Sequence, residues 1–285
     1  MARKGQSVPL QQQTNAKDTL IALNELPRDF RCEIDRGVST GWRCLDGYLQ
    51  GLRKGEVTVV TADTGVGKTT FCTQLMVNCA MQGQPVWINS WEMRPEIMVR
   101  KIASIALRRP MKLVNFTDRD NEEFDDWCSR FPIFINPNTI GIDIDTLDTE
   151  LIIAKARGIK VVLLDHLDYL VKQRSDKQHE AIEETVRRLH EFALTLNLHI
   201  ILICHPRQSF GAGEEVGMHM LKGSSAIKQY ADNIIILHRC ARTDNQADPG
   251  KVKVRVAKNR MFGTEGNAYL FYQPEWDGYL ELKEF

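Results

Sequence analysis

A run of apolar, β-branched residues in this chain ends in a short turn that contains two glycines. Residues 56–70 read Glu-Val-Thr-Val-Val-Thr-Ala-Asp-Thr-Gly-Val-Gly-Lys-Thr-Thr. Gly65 and Gly67 let the backbone curl so that successive N–H groups face a polyphosphate, which then lies at the positive end of the following helix. Lys68 would reach the β- and γ-phosphates, and the Thr69 hydroxyl would hold Mg²⁺. The segment therefore predicts a phosphate-binding loop between a strand and a helix.

The loop departs from the usual pattern at one position, because Ala62 stands where the first glycine is normally found. After the loop, Phe71, Leu75 and Cys79 recur at the spacing of an amphipathic helix, which supports the prediction. An ordinary glycine-rich turn between strand and helix is the alternative. The residues expected to surround the nucleotide phosphates are Ala62, Asp63, Thr64, Gly65, Val66, Gly67, Lys68, Thr69 and Thr70.

The composition is compatible with one large domain. The chain has 285 residues, of which 43% are hydrophobic, so it can bury one sizeable core. Lys and Arg total 37, and Asp and Glu also total 37, which gives a formal net charge of zero. If nucleic acid is bound, the positive charge that meets it must therefore be concentrated on one surface.

The cysteines and the first residues point to an intracellular protein. There are seven cysteines, an odd number, and no C-x-x-C pair. This pattern fits reduced thiols and excludes a zinc ribbon and a disulfide framework. Residues 1–10 are basic but lead into three glutamines without an apolar stretch, so no secretory signal is expected. No segment approaches the length of a membrane span.

The chain divides into an arm and a main domain. Residues 1–31 are predicted to be an N-terminal arm with one short helix, Lys17 to Leu26, whose leucines recur at helical spacing before Pro27. Its apolar stripe either folds back on the same domain or docks on a neighbouring subunit. Residues 32–285 are predicted to form the main domain.

Apolar segments alternate with helical patterns along this main domain. The candidate strands are residues 57–62, 85–90, 132–136, 160–165, 199–204 and 233–238. Residues 161–164 and 200–203 are apolar throughout, which indicates burial on both faces of a sheet. The predicted fold class is α/β, with a central, mostly parallel β-sheet that is flanked by helices.

Functional groups in such a sheet gather at the carboxyl ends of the strands. Asp165 ends one strand, where it can hold the water shell of Mg²⁺ or serve only as a helix N-cap. Glu92 follows another strand, where a carboxylate can orient or deprotonate the attacking water or can simply favour a helix dipole. His205 follows a third strand, either as a sensor of the γ-phosphate or as a structural histidine.

Further motifs recur in a fixed order along the chain. They are Gly-Val-Ser-Thr-Gly-Trp at 37–42, Gly-Leu-Arg-Lys-Gly-Glu at 51–56, Ser-Trp-Glu-Met at 90–93, Leu-Asp-His at 164–166, Cys-His-Pro-Arg at 204–207, Leu-Lys-Gly-Ser-Ser-Ala at 221–226 and Lys-Asn-Arg at 258–260. Together they resemble the motifs of RecA-like hexameric replicative DNA helicases of the DnaB, Twinkle and phage primase-helicase type. The resemblance extends from about residue 32 over nearly the whole remaining chain, and it implies a RecA-like P-loop NTPase fold for this helicase domain.

The resemblance also implies roles for individual residues. Glu92 would be the catalytic carboxylate, and His205 would sense the γ-phosphate. Lys258 and Arg260 would be inserted by one subunit into the nucleotide site of its neighbour, as arginine fingers are. The nucleotide base would lie between Arg239 and Tyr272, although an Arg and a Tyr in such places are also common as surface and packing residues.

The DNA contacts implied by the resemblance lie in a channel loop and in the motif that follows it. The residues concerned are Arg207, Gln208, Lys222, Gly223 and Ser224. The loop after Arg207 contains two acids and no lysine before Lys222, so its charge is less positive than tight backbone binding requires. In a ring, the DNA contacts of several copies of Arg207 and Lys222 would add together.

The sequence therefore predicts an NTP-driven, ring-shaped DNA helicase that moves along single-stranded DNA and unwinds duplex DNA at replication forks. ATP or dTTP would be the substrate and Mg²⁺ the cofactor. The expected partners are single-stranded and forked duplex DNA and further copies of the chain, in a ring expected to be a hexamer. A separate primase or polymerase is a candidate partner, since no primase signature is present. The expected location is the cytoplasm of a bacterial or phage-infected cell, and a mitochondrial location is the alternative.

Two other functions compete with this prediction. A RadA-type recombination or branch-migration ATPase also carries a Lys-Asn-Arg motif before Phe-Gly, but Met261 interrupts that pattern here. A nucleotide-gated assembly or loading protein would bind DNA without unwinding it, and the full catalytic set argues against that class. Separation of a forked duplex distinguishes the helicase from the loading protein.

Overall fold

A nine-stranded sheet forms the centre of the part of the chain that the structure describes. The structure is a computed structural model, and it describes residues 36–110, 117–137, 144–171, 178–206, 217–221, 223–240 and 250–281. The strands are β1 (Val57–Ala62), β2 (Val86–Ser90), β3 (Ile133–Ile135), β4 (Val161–Asp165), β5 (His199–Cys204), β6 (Asn233–Arg239), β7 (Lys251–Asn259), β8 (Gly266–Gln273) and β9 (Gly278–Glu281). Their order across the sheet is β3-β2-β4-β5-β1-β6-β7-β8-β9. The predicted arm, residues 1–31, lies outside the described residues.

Strands β1 to β6 are parallel to one another, and each coincides with one of the six predicted strands. Strands β1, β2, β4 and β5 are buried along their whole length. For β4 and β5 this confirms the prediction from the apolar residues 161–164 and 200–203. The predicted α/β class with a mostly parallel sheet is confirmed.

Helices cover both faces of this parallel region. The described helices are α1 (Arg43–Leu49), α2 (Lys68–Met81), α3 (Pro95–Leu107), α4 (Asp118–Arg130), α5 (Ile144–Ala156), α6 (Leu167–Leu170), α7 (Gln178–Leu196) and α8 (Ser224–Tyr230). Helices α1 to α4 pack on one face, where Phe71 and Ile102 meet Val60 of β1 in one apolar core. Helices α5 to α8 pack on the other face, where Leu147 and Val186 join a second core.

Strands β7, β8 and β9 extend the sheet as antiparallel neighbours of β6. They were absent from the predicted strands, although β7 carries a clear signal. Its sequence KVKVRVAKN alternates polar and apolar residues, and buried and partly buried positions alternate in the same way over most of the strand. Glu281 of β9 accepts backbone hydrogen bonds from Arg43 and Cys44, and thereby caps the first turn of α1.

Helix α2, which follows the phosphate loop, is buried on almost every side and not on one stripe. The helix itself is as predicted, but more of its surface is buried than the prediction of an amphipathic helix implied. The reason is that α2 has neighbours beyond the sheet: the Phe71 ring stacks on Trp42 at 5.1 Å between centroids and meets Tyr279 edge-on at 6.3 Å. Elements far apart in sequence thus enclose the helix whose first residues are expected to bind phosphate.

Candidate nucleotide-binding site

The turn between β1 and α2 has the backbone geometry of a phosphate-binding loop. Gly65 has a φ of 76° and Gly67 a φ of 107°, which side chains other than glycine rarely adopt. A Cβ atom at Gly67 would also lie 2.3 Å from the hydroxyl oxygen of Tyr279. Gly67 is therefore required both by its dihedral angle and by the approach of β9 beneath the loop.

Lys68 is held inside this loop by the loop's own backbone. Its Nζ donates hydrogen bonds to the carbonyl oxygens of Ala62 at 2.9 Å and Asp63 at 3.2 Å. Burial lowers the pKa of Lys68, and nearby carboxylates, Glu92 first among them, oppose that shift. Ala62 contributes a carbonyl oxygen from within β1, so the missing first glycine leaves this contact intact.

A buried carboxylate faces the start of α2 from the neighbouring strand β4. The Thr69 hydroxyl donates to Asp165 Oδ2 at 3.1 Å, and the Ser90 hydroxyl donates to the same oxygen at 3.4 Å. Asp165 Oδ1 is buried and has no hydrogen-bond partner among the described residues. Burial raises the pKa of Asp165 to about 6. A hydroxyl and a carboxylate with an unused oxygen are the hard ligands that Mg²⁺ prefers, so these residues fit the predicted ion.

Three further side chains converge beside Lys68 and Asp165. Glu92 is 52% exposed at its side chain, and its Oε2 lies 3.7 Å from His166 Nε2. The rings of His166 and His205 meet edge-on, with centroids 4.3 Å apart. Burial and the neighbouring His205 lower the pKa of His166. Glu92 and His205 were predicted to be site residues, but His166, which lies between them, was not.

The residues predicted to hold the base lie on the opposite side of the loop. Arg239, the last residue of β6, donates to the carbonyl oxygen of Gly65 at 3.2 Å. Tyr272 of β8 donates its hydroxyl to Asp277 at 2.9 Å, and its ring centroid lies 5.6 Å from that of Tyr279. Burial and Asp277 raise the pKa of Tyr272 to about 12. Both residues are thus brought near the phosphate loop, and a role in base binding stays a prediction.

A polar network beneath this side of the site was not predicted. Asp277 accepts a hydrogen bond from Thr70 at 3.3 Å and pairs with Lys101 of α3. Tyr279 directs its hydroxyl to the carbonyl oxygen of Gly67 at 3.4 Å, and Gln74 binds the Tyr279 backbone. These residues come from α2, α3, β9 and the turn before β9, and no local sequence signal connects them.

Lys258 and Arg260 lie far from the phosphate loop of their own chain. Lys258 donates to the carbonyl oxygens of Lys228 and Ala231, both at 2.6 Å. Arg260 pairs with Asp232 at 3.1 Å and also donates to the Ala231 carbonyl. Lys258 pairs in register with Ile234 at the beginning of β6, whereas the phosphate loop contacts Arg239 at its end. The structure therefore does not bring the two basic residues into the site of the same chain.

The predicted DNA-binding residues fall mostly outside the described part of the chain. Arg207, Gln208 and Lys222 are not among the described residues. Gly223 is buried with a φ of 72°, and a Cβ atom there would lie 2.3 Å from Ile182 of α7. Ser224 is the first residue of α8. The DNA contacts therefore stay a prediction.

A family model named DnaB-like helicase C terminal domain matches residues 37–281. The chain belongs to the DnaB-like helicase family. This confirms the resemblance to DnaB and phage primase-helicases on which the sequence interpretation depended. The match includes both the phosphate loop and the antiparallel strands that complete the site.

The relatives of this DnaB-like chain include bacterial and phage proteins. It is 28% identical over 262 residues to the replicative DNA helicase DnaB of Haemophilus influenzae, covering 87% of this chain and 56% of that protein. It is 27% identical over 262 residues to the DNA helicase/primase of Enterobacteria phage T3, covering 86% of this chain and 45% of that protein. The chain thus spans about half the length of these curated relatives.

Solved structures confirm the fold. A structure described as that of an ATPase domain superposes with a TM-score of 0.77 at 21% identity, covering 87% of this chain and 92% of that one. A structure described as that of a DnaB-like replicative helicase and its interactions with primase gives a TM-score of 0.75 at 22% identity, covering 87% of this chain and 62% of that one. Among the described residues, no helix combines the length and apolar character needed to cross a bilayer.

Proposed function

We propose that this protein is the motor of a replicative DNA helicase, which hydrolyses ATP or dTTP with Mg²⁺, moves along single-stranded DNA and unwinds forked duplex DNA. The main support is the gathering of Lys68, Thr69, Asp165 and Glu92 at one edge of the sheet, in a chain of the DnaB-like family. The same family membership favours a helicase over the RadA-type ATPase.

Each residue at this edge has a distinct task in the proposed reaction. Backbone N–H groups of residues 62–70 and the Lys68 ammonium bind the phosphates. Thr69 and Asp165 hold Mg²⁺, which neutralises charge on the phosphate oxygens when bound. Glu92, half exposed at the mouth of the site, orients and deprotonates the attacking water. Arg239 and Tyr272 hold the base from the other side of the loop.

Hydrolysis is completed by a second subunit in this proposal. Arg260 and Lys258 cannot reach the phosphate loop of their own chain, so they would stabilise the transition-state charge in the neighbour's site. A ring meets this need, because every subunit supplies a phosphate loop to its own site and the two basic residues to its neighbour's site. A hexamer is the proposed size. A separate primase or polymerase is the proposed partner at the fork.

Coupling to DNA would pass through His205. This histidine lies beside His166 and directly precedes Pro206, which forms a bridge with Leu221. We infer that His205 couples a change at the γ-phosphate to the predicted DNA-binding residues, the first of which is Arg207. The residues that would contact the phosphates of single-stranded DNA are Arg207, Gln208, Lys222, Gly223 and Ser224.

A forked duplex with one labelled strand tests the proposal. We expect strand separation only with NTP and Mg²⁺ present, and none with the Glu92→Gln variant, which still binds nucleotide and DNA. NTP-dependent DNA binding without strand separation by the native chain would instead support the loading protein. Strand exchange between homologous duplexes without fork unwinding would support the recombination ATPase.

A further inference from the structure

Three side chains that can ligate a metal ion meet at the mouth of the site. Glu92, His166 and His205 each offer one ligand atom, and these atoms lie within 4.8 Å of one another. They come from the ends of three neighbouring strands, β2, β4 and β5. Two imidazoles and a carboxylate with an open fourth position are a ligand set typical of Zn²⁺.

The distances are close to those that Zn²⁺ requires. With bonds of about 2.0–2.1 Å, tetrahedral ligand atoms lie about 3.3 Å apart. Glu92 Oε2 and His166 Nε2 are already 3.7 Å apart, and the two imidazole rings have centroids separated by 4.3 Å. Because the Glu92 side chain is 52% exposed, its carboxylate has room to rotate toward the two rings without movement of the sheet.

His166 is already oriented for this role. Its Nδ1 accepts a hydrogen bond from the backbone N–H of Asp168 at 3.3 Å and lies 3.6 Å from the Asp168 carboxylate. The other ring nitrogen, Nε2, therefore faces Glu92. Metal binding at Nε2 requires the neutral ring to carry its proton on Nδ1. The hydrogen bond from the Asp168 N–H would then be lost, and Nδ1–H would donate to the Asp168 carboxylate instead. Such a carboxylate–histidine–metal arrangement fixes the ring and increases its basicity.

The cluster differs in chemistry from the predicted Mg²⁺ site. Thr69 and Asp165 offer only oxygen atoms, which suit Mg²⁺. Two imidazole nitrogens favour Zn²⁺, Co²⁺ or Ni²⁺, and affinity for such sites follows the Irving–Williams order. A millimolar excess of Mg²⁺ would therefore compete poorly for the three-residue cluster.

We propose that Glu92, His166 and His205 form a binding site for a divalent transition metal of the Zn²⁺ class, and that its occupation inhibits NTP hydrolysis. The metal would take the lone pair of the carboxylate that otherwise accepts a proton from water. Binding by the cluster stands on geometry alone, whereas inhibition rests on the proposed catalytic role of Glu92.

Co²⁺ titration in excess Mg²⁺ tests the binding, because four-coordinate Co²⁺ absorbs strongly in the visible range. We expect one Co²⁺ per subunit, displaced by Zn²⁺. His166→Asn and His205→Asn should abolish the band, and Asp168→Asn should weaken affinity about 10- to 100-fold. His219→Asn, an exposed histidine outside the cluster, is the matched control. An unchanged band in both cluster variants, or a thiolate charge-transfer band alone, would overturn the site.

The inhibition is measured separately, as the Zn²⁺ concentration that halves each variant's own rate of hydrolysis. We expect that concentration to rise at least tenfold in Asp168→Asn and to stay unchanged in His219→Asn. Stoichiometric Zn²⁺ binding at the cluster without any loss of hydrolysis would overturn the proposed inhibition and contradict the catalytic role of Glu92, while leaving the metal site intact. The absence of strand separation by the native chain, in contrast, is the result that would refute the proposed helicase function.

Discussion

Mixing two inactive variants tests whether the nucleotide site is shared between subunits. Arg239 at the end of β6 contacts the phosphate loop, and Lys258 pairs with Ile234 near its beginning. With about 3.3 Å per residue, the strand separates the two ends by on the order of 20 Å. An Arg260 side chain cannot bridge that distance, so within one chain it cannot contact the γ-phosphate.

The expected recovery of hydrolysis follows from counting the junctions between neighbouring subunits in a ring. Each junction combines the phosphate loop of one subunit with the Arg260 finger of the next. Lys68→Ala removes the phosphate loop's cation, and Arg260→Ala removes the finger. In an equal mixture, half of the subunits have an intact loop, and half of their neighbours have an intact finger. About a quarter of all junctions should therefore be complete, and basal hydrolysis should recover to about a quarter of the native rate if sites act independently.

Hydrolysis is measured as the release of phosphate. Ring assembly is measured by sedimentation. The control replaces the Arg260→Ala chain with a chain that carries both substitutions, because no junction in that mixture has an intact loop beside an intact finger. Since Arg260 also pairs with Asp232, the thermal midpoint of Arg260→Ala must be recorded. No recovery in assembled mixed rings would refute catalysis in trans and leave Arg260 with a structural role.

Three further experiments test the roles of particular side chains. Lys68→Ala should abolish nucleotide binding, whereas Glu92→Gln should keep nucleotide binding and slow hydrolysis by about 10²- to 10⁴-fold. Equilibrium binding and turnover assays measure the two effects. Equal losses of nucleotide affinity in both variants would contradict the role of Glu92. His199 is fully buried with its pKa lowered from 6.5 to about 4, so it stays neutral in the fold while the unfolded chain takes up a proton below pH 6.5. The free energy of unfolding should therefore fall by about 3 kcal/mol between pH 7 and pH 4 from this group. Denaturant melts should show a shallower fall in His199→Gln, and identical pH profiles would exclude the effect. Arg207→Ala with Lys222→Ala should weaken single-strand DNA binding and reduce the salt slope by roughly 0.7 log units per phosphate contact, with basal hydrolysis retained; an unchanged slope would move the DNA contact elsewhere.

The sequence predicted the parallel half of the sheet because each of its strands is a local, apolar run. Glu92, Asp165 and His205 could be grouped in advance for a related reason. Each lies at or just after the carboxyl end of a parallel strand, and the strands concerned, β2, β4 and β5, are neighbours. A local pattern and one rule of topology were enough to place these three side chains together.

The remaining parts of the site depend on contacts that no local pattern encodes. Lys101 and Asp277 pair although they are 176 residues apart, and the Thr70 hydroxyl is hydrogen-bonded to both of them. His166 could have been found from the Leu-Asp-His motif, but its orientation depends on Asp168 and on the close approach of His205. The proposed target of Arg260 belongs to another subunit, so a single chain does not contain it.

The support of the phosphate loop by β9 has a consequence for the synthesis of the chain. Gln74 and Tyr279 are joined by two hydrogen bonds across 205 residues of sequence, and the Tyr279 hydroxyl lies against Gly67. On the ribosome, Lys68 is translated long before Tyr279, so the phosphate loop of the nascent chain lacks the contacts from Tyr279 until β9 emerges. Nucleotide affinity should therefore arise only when translation has passed β9, and truncated nascent chains should not consume NTP.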